Sequence, residues 1–177
     1  MRIAPGQVYT KGFVDPAWEP SQDNGPGEQE LLKVVISDVV FADLTFEGEK
    51  EFAIRTAATK RGARIQRVRI VPLLQAAIEG LEQDSQEAMD NLRRQISALS
   101  EEAESPVVDE LARYFLPLTE KQRAALIYEL KDSLKTEKRF ELAVINYLEA
   151  EEARKGTPLK SWLTDRKKAY EEALKKP

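Results

Sequence analysis

The chain contains no cysteine and no histidine among its 177 residues. The first absence excludes disulfides, thiolate zinc sites and cysteine nucleophiles, and it erases any mark of redox compartment. The second removes the commonest general base and the commonest transition-metal ligand together. No run approaches the roughly 18 consecutive apolar residues of a membrane span. The opening Met1-Arg2-Ile3-Ala4-Pro5-Gly6 lacks the apolar core of a signal peptide, which leaves localisation open, cytoplasmic by default. Charge of one sign is scarce too: the net value is only -4, so no global field selects a nucleic acid or an anionic membrane. Either partner would need a local patch. No metal ion or cofactor is implied. Asp23-Asn24-Gly25 opens like a calcium loop, but the remaining ligands and the closing Glu are missing.

What is present suits a globular helical protein: apolar residues make up 42% of the chain and charged residues 33%. Loop chemistry is concentrated at one end, where Pro5-Gly6, Gly12, Pro16, Pro20 and Asn24-Gly25-Pro26-Gly27 interrupt any regular element. Gln7–Thr10 and Lys11–Val14 read as short extended pieces, and Asp15–Glu28 as a surface loop. Leu31–Phe41 is dense in β-branched residues and reads as a strand. Ala42–Thr45 then supplies a turn, and Thr45–Gly48 a short return strand, giving a hairpin.

From Glu49 onward the period becomes helical. Phe52, Arg55, Thr56, Ile65, Val68, Leu73, Ala76, Ala77 and Leu81 predict one long helix, kinked near Arg69 because Pro72 cannot donate to the ladder. Ser85 is the expected cap of a second helix with the stripe Met89, Leu92, Ile96 and Leu99, paired with the first as an antiparallel hairpin turning near Asp84. Ser105-Pro106 starts a third, carrying Val108, Leu111 and Phe115. Thr119–Gln122 has capping-box spacing and opens a fourth with Leu126, Leu130 and Leu134. Thr136 is the expected cap of a fifth with Phe140, Val144, Tyr147 and Leu148, ended by Gly156. Thr157-Pro158 starts a sixth with Leu159, Trp162, Leu163, Tyr170 and Leu174. The fold class is therefore mainly α, with a β-rich leader over 1–48 and a helical region over 49–177.

Lys60, Arg61, Arg64, Arg67 and Arg69 form the sharpest local feature, since Lys60, Arg64 and Arg67 share a helical face that can track phosphates. The competing reading is self-neutralisation. Glu79, Glu82, Asp84, Glu87 and Asp90 form a matching acidic run, and the expected hairpin sets Arg64 opposite Glu104 and Arg67 opposite Glu101. That reading is favoured, and nucleic acid is not the expected partner. Asp38 and Asp43 bracket the apolar Val39-Val40-Phe41 and could line a cleft as an acid/base pair, although Asp is also a standard turn former, which is the favoured reading. Trp18, held between Pro16 and Pro20, either pins its loop or offers it to a partner.

Val39–Gly48 resembles a segment of uncharacterised bacterial proteins in which a strand ending Phe-x-Asp-Gly-Thr-x-x-Gly leads into an arginine-rich helix. Phe41, Asp43, Thr45 and Gly48 match, followed by Arg61, Gly62, Arg64, Gln66 and Pro72-Leu73-Leu74, while Leu44 stands where the pattern has glycine. The resemblance spans about Pro5 to Leu74 and implies no activity. It does imply that the leader belongs to a small β-sandwich-like unit with an open sheet edge, Ala4-Pro5-Gly6 resembling a loop that follows an earlier strand. These features together favour a non-catalytic interaction or scaffolding protein that binds other proteins or itself through the β edge, the Trp18 loop or a helical groove. A carboxylate enzyme using Asp38 and Asp43, and a phosphate or nucleic-acid binder using Arg61, Arg64, Arg67 and Arg69, are the alternatives.

Overall fold

Two parallel helices form the spine of the described residues, and the other described elements pack along them. The computed structural model describes residues 38–41, 43–156 and 158–175. It contains a hairpin of β1 (Val39–Val40) and β2 (Phe46–Glu47), then α1 (Lys50–Gly80), α2 (Ser85–Ser97), α3 (Ser105–Tyr114), α4 (Glu120–Lys155) and α5 (Leu159–Lys175). Trp18 and the expected strand residues Leu31–Ser37 lie outside the described residues, as does Thr157. Among the described residues no helix is long and apolar enough to cross a membrane.

The hairpin pairs Val39 with Glu47 and Val40 with Phe46, antiparallel. Its tip is closed by the Phe41 amide donating to the Thr45 carbonyl at 2.8 Å and by the Leu44 amide donating to the Phe41 carbonyl at 3.1 Å. This is the geometry in which the last loop residue turns left-handed, and Leu44 does so at φ 67°. The glycine of the resembling pattern falls on this position, so its Leu here bears backbone strain that glycine would not. The Leu44 side chain nevertheless packs against the lower core with Val40 and Phe46, and the Phe46 and Phe115 rings meet at 6.1 Å between centroids.

α1 and α4 run in the same direction, as shown by Glu51 facing Lys121, Thr59 accepting from Ser133, and Arg67 facing Glu137. Their contact is close because it is built from small side chains. Ala53, Ala57, Ala58 and Gly62 are buried on α1. A Cβ on Gly62 would stand 2.7 Å from the Ser133 Cβ and 2.8 Å from the Leu130 carbonyl oxygen. α2 and α3 return antiparallel to α1, and α5 returns antiparallel to α4, covering its upper part. Two cores result. Ile70, Leu74, Met89, Ile96, Ile145 and Leu163 belong to the upper one, and Ile54, Val108, Leu111, Phe115, Leu126 and Leu130 to the lower.

The mainly α architecture with an N-terminal hairpin matches the sequence reading, and several details differ. Among the described residues five helices stand where about six were expected, because α4 continues through Thr136. Thr136 has no proline or glycine near it to stop the ladder, and a threonine within a helix is only mildly unfavourable. α1 is, as expected, one long helix with Pro72 inside it. The side chain that caps α2 belongs to Asp84, accepting from the Glu87 amide at 2.9 Å, and Ser85 is the first helical residue. Glu104 rather than Ser105 precedes α3, with Pro106 in its first turn. The Thr119–Gln122 capping box is present in both directions, and Gly156 ends α4 in the left-handed region at φ 67°.

Candidate functional site

The basic run of α1 is placed on the outside of the spine, and carboxylates from three other segments meet it. Arg61 pairs with Glu110 at 2.8 Å, Arg67 with Glu137 at 2.7 Å and Arg69 with Glu104 at 2.6 Å. Arg67 uses both Nε and Nη2 against the two Glu137 oxygens, a bidentate fork that raises its pKa above the ordinary arginine value. Arg64 is exposed and also engaged. Arg61, Arg67 and Arg69 are thus each paired with a carboxylate, and the partners differ from those expected. Arg67 meets Glu137 of α4 instead of Glu101, Glu104 meets Arg69 instead of Arg64, and Glu101 is taken by Lys138 at 2.7 Å.

The acidic run at the α1–α2 turn takes no part in this. Glu82 pairs with Lys160, Asp90 with Arg93, and Glu79 accepts from Gln75. Asp84 spends one oxygen on the α2 cap.

Asp38 and Asp43 are both committed to the hairpin. Asp38 accepts from the Glu49 amide at 2.6 Å, tying the hairpin base to the start of α1. Asp43 accepts from the Thr45 hydroxyl at 2.6 Å and the Thr45 amide at 3.0 Å, which lowers its pKa below the usual carboxylate value. Each carboxylate shapes backbone.

The densest polar cluster joins α1, α4 and α5, and it was not found in the sequence. Glu141 is fully buried. It accepts from Arg166 Nη2 at 2.6 Å and Nε at 3.0 Å, and from the Tyr170 hydroxyl. Arg166 also donates to the Tyr170 hydroxyl at 2.7 Å and lies over the Tyr170 ring at 4.4 Å and the Phe140 ring at 5.2 Å. Arg67 approaches the same Tyr170 ring at 5.6 Å. Burial and the adjacent Glu141 carboxylate push the Tyr170 hydroxyl well above the ordinary tyrosine value. A raised folded-state pKa stabilises the fold below the unfolded value and loses that contribution as pH climbs through the folded one. Stability is thus expected to fall as pH rises beyond 10.0, the reference value for this group. Urea unfolding on both sides of that pH should show a larger loss in the wild type than in Tyr170→Phe.

A second fully buried polar side chain, Gln66, is satisfied in the same manner. Its amide donates to the carbonyls of Leu134 at 3.2 Å and Ser100 at 3.3 Å, and its oxygen accepts from Arg69.

α4 also presents large apolar side chains to solvent. Phe140 is 53% and Tyr147 63% exposed. They lie seven residues apart, two helical turns, with exposed Ala143 between them, so they form one stripe beside α5. The sequence reading set both rings among the apolar positions of a separate fifth helix, with Val144 and Leu148. Continuing the Leu126, Leu130, Leu134 stripe through Thr136 leads instead to Glu141, Ile145 and Leu148, which are the residues buried. The supposed break at Thr136 reset the helical phase and hid Glu141.

Comparison of the chain with protein-family models, with curated proteins and with solved structures finds no match.

Proposed function

We propose that this chain is a non-catalytic protein-interaction or scaffolding protein whose principal contact surface is the α4 stripe of Phe140, Ala143 and Tyr147. The observation that carries this reading is the pair of aromatic rings exposed two turns apart on a helix that buries Glu141, Ile145 and Leu148 on its other side. Such rings bring large contact area at low entropic cost and are enriched at the energetic centres of protein interfaces. The neighbouring Arg166 guanidinium lies over the Phe140 ring at 5.2 Å, and a side chain ordered by such a contact costs less to bind. The structural engagement of Asp38, Asp43 and the α1 arginines favours this reading over a carboxylate enzyme or a phosphate-binding face.

A photoreactive phenylalanine analogue at position 147 tests it. Irradiation in the producing cells should give a discrete protein adduct, to a second copy or to another polypeptide. The same analogue at the exposed α5 position 168 should give none.

A further inference from the structure

A second surface lies on the far side of α1, where α1 and α2 diverge from their turn. It is a groove with a cavity volume of about 340 Å³. Leu73, Ala76, Ala77 and Leu92 give it an apolar floor, and Ala76 is exposed there. The wall is polar and follows a helical spacing: Glu87, Asn91 and Gln95 succeed one another at four-residue steps along α2, with Asp84 at the turn end. No lysine or arginine lines it.

The charge of this groove follows from the pairing described above. Three arginines of the basic run on α1 are paired with Glu104, Glu110 and Glu137. The acids at the α1–α2 turn are consequently not consumed by it. Lys160 is taken by Glu82, and Arg93 by Asp90 and Glu149. Glu87 forms no ion pair among the described residues, and Asp84 keeps a carboxylate oxygen beyond the one used in its cap. Small residues on the floor allow a backbone to come close, which suits a helix laid along the groove. Uncommitted carboxylates on one wall select cations on that helix and repel anions.

We propose that the α1–α2 groove is a docking site for a cationic amphipathic helix of a partner protein. The small apolar face of that helix sits on Leu73, Ala76 and Ala77, and its lysines or arginines lie along Asp84 and Glu87. The proposal rests on the reading of the chain as an interaction protein, but it uses a different face from the α4 stripe.

The experiment is fluorescence anisotropy at low ionic strength with the full chain. The probe is a labelled amphipathic peptide of alanine, leucine and lysine, compared with a twin in which every lysine is glutamate. The lysine peptide is expected to bind about tenfold or more tightly than its twin. Glu87→Lys should weaken it by a similar factor, and Ala76→Trp, which fills the exposed floor, should abolish it. Lys168→Glu, on α5, should leave it unchanged. Circular dichroism of each variant verifies that the helices remain. Equal binding of the two peptides, no binding of either, or binding indifferent to both Ala76→Trp and Glu87→Lys would overturn the proposal. A negative result here alongside an adduct from position 147 removes the groove alone, whereas failure of the position 147 adduct bears on the α4 reading and leaves the peptide result standing.

Discussion

Replacing Glu141 by alanine is expected to cost about 3 kcal/mol or more of unfolding free energy, in the range found when one member of a buried ion pair is deleted. The carboxylate is fully buried, and two neighbours on α5 depend on it. Arg166, with a side chain only 20% exposed, loses its bidentate acceptor, and the Tyr170 hydroxyl loses the oxygen it donates to. The loss is larger than the net worth of the interaction, because an uncompensated guanidinium remains where water reaches it poorly. This yields a second, opposite expectation. The triple variant Glu141→Leu, Arg166→Met, Tyr170→Phe removes every member of the cluster that would be orphaned, and it should recover most of the stability. Urea midpoints at neutral pH measure both. A mild Glu141→Ala effect, or a triple variant worse than the single, would mean that α5 is not held through this cluster.

Gly62→Leu should be at least as damaging, at about 3 kcal/mol, the upper part of the range for overpacking a close contact. At this point α1 and α4 touch with no room for a Cβ, and one obstacle is the Leu130 carbonyl oxygen, which belongs to backbone and cannot rotate away. Gly62→Ala meets the same obstacle with one carbon, and about 1 kcal/mol of helix propensity returned by alanine offsets part of its cost. The graded series, Leu worse than Ala worse than wild type, is read from chemical denaturation with an unchanged m-value. If Gly62→Ala stabilises the chain, the parallel helices stand further apart than the 2.7 Å approach of a Gly62 Cβ to Ser133 requires.

Both sites show why some of the structure was legible in the sequence and some was not. The capping box at Thr119, the stop at Gly156, the hairpin around Asp43 and the stripes of α2 and α3 announce themselves because each depends on a local residue pattern. The phase of α1 did not. Val68 and Phe52, among the residues whose spacing predicted the helix, are 55% and 46% exposed, and the first half of the buried face is carried largely by Ala53, Ala57, Ala58, Gly62 and Gln66 before Ile70, Leu74 and Ala77 continue it. Small and polar residues carry almost no hydrophobic signal, yet they are what close helix packing requires. The partners of the α1 arginines were misplaced for a related reason. They were sought on the next helix in sequence, whereas the parallel approach of α4 brings Glu137 to Arg67 across seventy residues. Long-range topology of that kind leaves no trace in charge spacing.

The contact role of α4 is the central claim, and the most direct measurement combines position and surface chemistry. The chain carrying the photoreactive analogue at position 147 is irradiated in its producing cells, alone and with Phe140→Asp added. Phe140 is half exposed, so the substitution is expected to leave the helical circular dichroism intact. The account predicts a discrete adduct that the aspartate removes. An adduct that survives Phe140→Asp, or no adduct from a folded and well-expressed chain, would contradict it.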